Sequence, residues 1–213
     1  KPVLEALFKS EHFFDIANRG ALIKNPASFT HGLCRTFNLP LPESTDFVNQ
    51  YNAWGNFASF STLLQQELGD PPSVAGWPAY YQIPQYHELW INSDTLPKRN
   101  RITDILTTYG YNYTGYSLKI DAVNFAESFS SVADPSAFID ELLELLHTLP
   151  AEENQKAYMK TILLSGQIKD HYWSDSWIAY INDKTNETKK TVVSQRILFL
   201  LKYLMNLGEY QLS

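Results

Sequence analysis

The sequence is poor in the features that usually betray an activity. Its 213 residues hold one cysteine, Cys34, so no intramolecular disulfide can staple the fold and packing alone must hold it. That count leaves the redox compartment open. The formal charge of -6, with no run of Lys or Arg, removes the basic footprint that phosphate backbones require. Nucleic acid is therefore excluded as an expected partner, and anionic membrane with it. No stretch reaches the ~20 apolar residues needed to span a bilayer; the most apolar segment, ILFLLKYLM at 197–205, is interrupted by Lys202. The chain opens on KPVLEALFKS, with neither an initiator Met nor a signal-like apolar block. It reads as a piece of a longer polypeptide, any targeting segment lying upstream.

Catalytic signatures are also missing. The chain has no G-x-S-x-G elbow, no G-x-x-x-x-G-K-[ST] phosphate loop and no G-x-G-x-x-G dinucleotide turn. The stretch HELWI at 87–91 approaches the zinc-protease pattern, but Ile91 stands where the second His is required. His31 and Cys34 are three residues apart on an expected helix, and two ligands do not make a metal site. No metal or cofactor is expected. Asp140, Glu141, Glu144, Glu152 and Glu153 could pair as acid and base, yet helical spacing makes them read as a solvated polar face.

What remains is a helical pattern. A chain of this length can bury about 70–75% of its unfolded surface, enough for one generous domain or two small ones. Val193, Ile197, Leu200, Leu204 and Leu207 recur at helical spacing across 186–208, and the run is nearly apolar all round at Leu198–Leu201. That helix should be central or lie against a partner. Asp134 followed by Pro135 predicts a capped helix running through Leu146 and closed by Pro150, and Ala151–Leu164 predicts another, closed by Gly166. Further helices are expected over Val3–Phe13, Pro26–Phe37, Ser44–Leu68, Thr95–Thr108 and His171–Ile181, with a short extended piece around Ser117–Val123. The segment Tyr109–Tyr116, YGYNYTGY, reads as a loop packed on the bundle, and Gly69–Asn92 as a long proline-punctuated one. The expected fold is all-α, an irregular multi-helix bundle with long aromatic and proline-rich loops. An internal boundary is expected near 130, dividing a loop-rich part (1–130) from a C-terminal helical bundle (131–213) packed on it as one unit.

Aromatic residues gather in the loops. Trp54, Trp77, Trp90, Trp173 and Trp177, with Tyr80, Tyr81 and Tyr86, could anchor a long loop to the bundle or present flat faces to sugar rings. Two blocks carry a further signal: FFDIANRGALIKNP at 13–26, and PPSVAGWP at 71–78 followed by WINSDTLPKR at 90–99. In order and spacing, over residues 1–105, they resemble the C-terminal part of a bacterial family known as domain of unknown function 1800. The resemblance implies a helical, exported protein about twice this length, periplasmic, surface-bound or secreted, often encoded beside an exported sulfatase-like protein. It supplies no activity. Two features depart from it: the link AYYQIPQYHEL is longer than in the family, and no family motif stands out after about residue 110.

The block at 13–26 places Asp15, Asn18, Arg19, Gly20 and Lys24 around an expected tight turn. One reading is a buried ion network, Asp15 or a loop carbonyl satisfying Arg19 with Arg99 nearby, that pins the loop 69–99. The other is a pocket in which Arg19, Lys24 and Arg99 converge with Trp77 and Trp90 on an anionic or sugar ligand. Asp15, Arg19, Lys24, Trp77, Trp90 and Arg99 are accordingly the candidate binding residues. The function expected is a non-catalytic interaction or binding module for a protein or polysaccharide of the cell envelope. A hydrolase of envelope or sulfated carbohydrate is the alternative.

Overall fold

The computed structural model describes residues 1–77 and 87–213; Tyr80, Tyr81 and Tyr86, singled out above, lie outside the described residues. Among the described residues are nine α-helices: α1 (Pro2–Phe8), α2 (Pro26–Thr36), α3 (Phe47–Leu63), α4 (Thr95–Thr108), α5 (Ala122–Ala126), α6 (Pro135–Leu146), α7 (Glu153–Leu163), α8 (His171–Ile181) and α9 (Glu187–Asn206). One antiparallel hairpin, β1 (Tyr111–Tyr113) and β2 (Tyr116–Leu118), stands between α4 and α5. The fold is thus mostly helical, as the periodicity predicts. No helix among the described residues is long and apolar enough to cross a membrane.

Helix α9 is the axis. Val193, Ile197, Leu200, Leu201 and Leu204 are fully buried, and the helix packs against α4, α5, α7 and α8. One continuous apolar cluster runs from Phe29 on α2 through Leu106 on α4 and Leu142 on α6 to Tyr210 beyond α9. The apolar turn at Leu198–Leu201 has neighbours on most of its sides; Phe199, 60% exposed, lies on the side left open.

Helix ends obey local chemistry. Asp134 accepts from the Ser136 and Ala137 N–H groups, with Pro135 at the first helical position, as its sequence context predicts. That helix stops at Leu146, four residues before Pro150. Helix α7 begins at Glu153 rather than Ala151, the Gln155 side chain accepting from the Glu152 N–H. Ser44–Leu68 is not continuous: a 3-10 turn at Ser44–Asp46 leads to Asp46, whose carboxylate caps α3, and α3 ends at Leu63. Val3–Phe13 also divides, because α1 buries no residue and has no packing to extend it past Phe8. Ser10 then accepts from the Phe13 N–H and starts a separate 3-10 turn.

The tyrosine loop is a hairpin. Gly115, at φ +91°, supplies the backbone angle that its two-residue turn needs, and Tyr113 pairs with Tyr116 across it. The extended piece expected at 117–123 ends at Leu118, and Asp121 caps α5 three residues later.

Replacing Asp134 with Ala strips two amide partners at once and should cost about 1 kcal/mol in urea unfolding with the m-value unchanged. A cost below a few tenths would show that this cap adds nothing to the start of α6.

Candidate functional site

Pro26 opens α2 and Asn25 caps it by accepting from the Ser28 N–H, which leaves the preceding residues extended. They pair with the chain end: the Lys24 N–H donates to the Gln211 carbonyl at 2.8 Å, and the Ser213 N–H to the Leu22 carbonyl at 2.8 Å. Lys24 Nζ curls back to donate to the Tyr210 carbonyl at 2.7 Å and lies 4.4 Å from the centre of the Tyr210 ring.

Arg99, on α4, closes this clasp from below. Its Nη2 donates to the Lys24 carbonyl at 2.7 Å, its Nη1 reaches Gln211 Oε1 at 3.4 Å, and its guanidinium stands 4.9 Å from the Phe29 ring centre. Gln211 in turn donates to the Met205 carbonyl at the end of α9. The Arg99 side chain is fully buried and its Nε has no hydrogen-bond partner. No carboxylate among the described residues forms an ion pair with Arg99 or Lys24. Fully buried Arg99 and half-buried Lys24 thus lie side by side, faced among the described residues by carbonyl dipoles and aromatic rings. Burial draws Arg99 down to about 10, and burial together with the Arg99 charge draws Lys24 down to about 8.

The remaining candidates separate. Asp15 does not meet Arg19; its carboxylate accepts from the Ala17 N–H and caps a 3-10 turn. Asn18 donates to the His12 carbonyl, so the turn is held by local bonds rather than by an ion network. Gly20, at φ +67°, approaches the α6–α7 corner so closely that a Cβ there would lie 3.0 Å from Leu149 and 3.1 Å from Thr148 Oγ1. Arg19, the residue before it, lines that corner with Thr148 and Leu149. Trp90 is buried; half-buried Trp77 packs on it with ring centres 5.4 Å apart. Thr95 Oγ1 donates to the Trp90 carbonyl, tying this pair to the start of α4. Trp173 and Trp177 are core residues, so of the five tryptophans Trp54 alone is strongly exposed, at 48%. The other four tryptophans pack against protein.

Arg19 lines an open cleft of about 360 Å³ with Ile16, Asp140, Glu144, His147, Thr148 and Lys156 among its walls. The Arg19 side chain is exposed and makes no ion pair among the described residues, whereas Asp140 is engaged by Lys156 at 2.9 Å. Thr148 Oγ1 is buried without a partner. His147 is buried and donates from Nε2 to the Leu204 carbonyl; burial lowers its pKa, which favours a neutral ring with Nδ1 as acceptor. Sequence reasoning did not find His147, Thr148, Tyr210 or Gln211. A His-Thr pair ahead of Leu-Pro at a helix end was the one available signal, and Gln211 gave none.

The sign of the Lys24 shift sets a pH dependence. Between about 8 and 10.5 the unfolded chain holds the Lys24 proton and the folded chain does not, so this group makes stability rise with pH across that window. Buried Tyr210, raised from 10.0, acts oppositely above pH 10. Thermal unfolding between pH 7.5 and 9.5 should therefore show a more positive slope for the native chain than for Lys24→Met. Identical slopes would contradict the buried-cation description.

No curated protein and no solved structure matches the chain. A family profile does, over residues 1–212, and so reaches through the C-terminal helices where no motif was apparent. With that coverage, the chain belongs to the family described as protein of unknown function (DUF1800).

Proposed function

We propose that this domain is a non-catalytic binding module of an exported, envelope-facing protein, and that the Arg19 cleft receives an anionic group of its partner. The observation that carries the reading is a guanidinium that is exposed, forms no ion pair among the described residues, and heads a concave site. A guanidinium presents a planar fork of donors matched to carboxylate, sulfate or phosphate oxygens. Ile16 and Leu149 offer apolar contact to the body of the ligand. Lys24 and Arg99 belong to the framework: Lys24 Nζ and both Arg99 Nη groups bond to carbonyl oxygens inside the clasp.

The hydrolase alternative keeps one observation in its favour, since Asp140, Glu144 and His147 line the same cleft. Against it, Asp140 is paired to Lys156 and His147 Nε2 is committed to a backbone carbonyl. Binding without turnover uses the groups as they stand.

Dextran sulfate and polygalacturonate serve as sulfated and carboxylated probes in titration calorimetry. Affinity for at least one should fall at least tenfold in Arg19→Ala, recover partly in Arg19→Lys, and weaken with added salt, while the melting temperature stays within about 1–2 °C of the parent, as expected for an exposed site. Equal affinity in the parent and Arg19→Ala would overturn the assignment, and so would no affinity for either probe.

A further inference from the structure

A second concave site, on separate elements, has a different chemistry. Asn49, Asn52 and Asn56 recur at three- and four-residue spacing along one face of α3, to one side of the face that buries Ala53, Phe57 and Phe60. The hairpin stands over that face. Its inner residues begin in the core, where Leu118 is fully buried and Tyr111 packs on Phe60 at 4.8 Å, and end at Tyr113 and Tyr116, whose rings stack at 4.9 Å and 21°. The turn is pressed against the helix: a Cβ on Gly115 would lie 2.5 Å from Asn49 Nδ2. Between helix and hairpin is an open cleft of about 320 Å³ lined by the three asparagines, Tyr113, Thr114 and Tyr116.

Every residue in that lining is neutral and polar or aromatic, in a chain of net charge -6. Two internal bonds set the walls. Asn56 Nδ2 donates to the Tyr116 hydroxyl at 2.6 Å, and Asn49 Nδ2 donates to Asp46 Oδ2 at 2.8 Å. Each bond fixes an amide orientation and leaves its carbonyl oxygen as an acceptor, while the Tyr116 O–H keeps its proton to donate. The Asn52 amide and the Thr114 and Tyr113 hydroxyls make no bond within the described residues. The cleft therefore combines fixed acceptors, adaptable donors and tyrosine rings, with no ionic group among its lining residues; the Asp46 carboxylate beside it is engaged by the Asn49 amide.

We propose that this cleft is a binding subsite for a neutral pyranose sugar of a polysaccharide. Sugar hydroxyls both donate and accept, which matches amide and hydroxyl groups presenting both functions, and a pyranose ring offers an apolar C–H face to an aromatic ring. An extended neutral peptide could also bond to an asparagine row, but its side chains need apolar pockets, and no aliphatic side chain lines this cleft. Water exchange at such an open site keeps affinity modest, so the sugar subsite works with repetition along a polymer rather than by one tight contact. The proposal does not depend on the Arg19 reading.

The test is an ¹⁵N NMR titration of the whole chain with cellohexaose, maltohexaose and chitohexaose, observing the Asn side-chain amides. At least one sugar should shift the Asn52 and Asn56 amide resonances in a saturable manner. Asn52→Ala, which removes an exposed side chain with no internal bond, should weaken that sugar at least fivefold, and Tyr113→Phe should weaken it measurably while keeping the stacked ring. Arg19→Ala should leave it unchanged, which separates this site from the cleft at the α6–α7 corner. The proposal is overturned if none of the three sugars shifts those amides, if both cleft variants bind like the parent, or if a neutral Gly-Ser decapeptide shifts them instead.

Discussion

The structure depends on a buried guanidinium without a carboxylate. Arg99 is fully buried on α4, and its two hydrogen bonds run to residues 75 and 112 positions away in sequence. Taking such a charge from water costs several kcal/mol unless partners replace its hydration. Here those partners are the Lys24 carbonyl, the Gln211 side chain and the face of Phe29. Each comes from a different part of the chain, so satisfying one side chain requires the early extended segment, α2, α4 and the chain end to assemble together. Lys24 adds a second cation at the same place, which sharpens the requirement: the clasp is stable only while its carbonyls point inward.

That constraint divides the charged block at 13–26 into two jobs by geometry. Gly20 bends the chain toward the α6–α7 corner and Pro26 starts α2, so residues on either side of the turn reach different neighbours. Lys24 goes inward to the clasp; Arg19 stays outside over the cleft with His147 and Thr148. A rigid interior fixes the position of an exposed cation, which is the arrangement a binding site on a loop requires. The second cleft obeys the same logic, since the hairpin that forms it is rooted in the core through Leu118 and Tyr111.

Much of the helical framework was legible because it rests on local rules. Thr95–Thr108 and His171–Ile181 have the expected bounds, and Asp134-Pro135 marks the start of α6. The YNYTGYSL hairpin was not, because its alternation spans only three residues a strand and its stability comes from packing on Phe60 and α3. The site was legible by residue type and illegible by partnership. Lys24 and Arg99 were singled out together, and they are bonded; Asp15 and Arg19 were singled out together, and Asp15 bonds its own backbone instead. Gln211 and Tyr210 carried no pattern at all, since a long-range clasp leaves no periodicity behind it.

The most direct measurement is native-state hydrogen exchange, comparing Arg99→Leu with the parent chain. If the guanidinium unites the clasp, the Lys24 amide and the amides of residues 210–212 lose protection together, by tenfold or more, while Leu142 and Leu143 on α6 keep theirs. Protection at Lys24 unchanged by the substitution, or lost only in step with every core amide, would contradict the clasp as the organising contact.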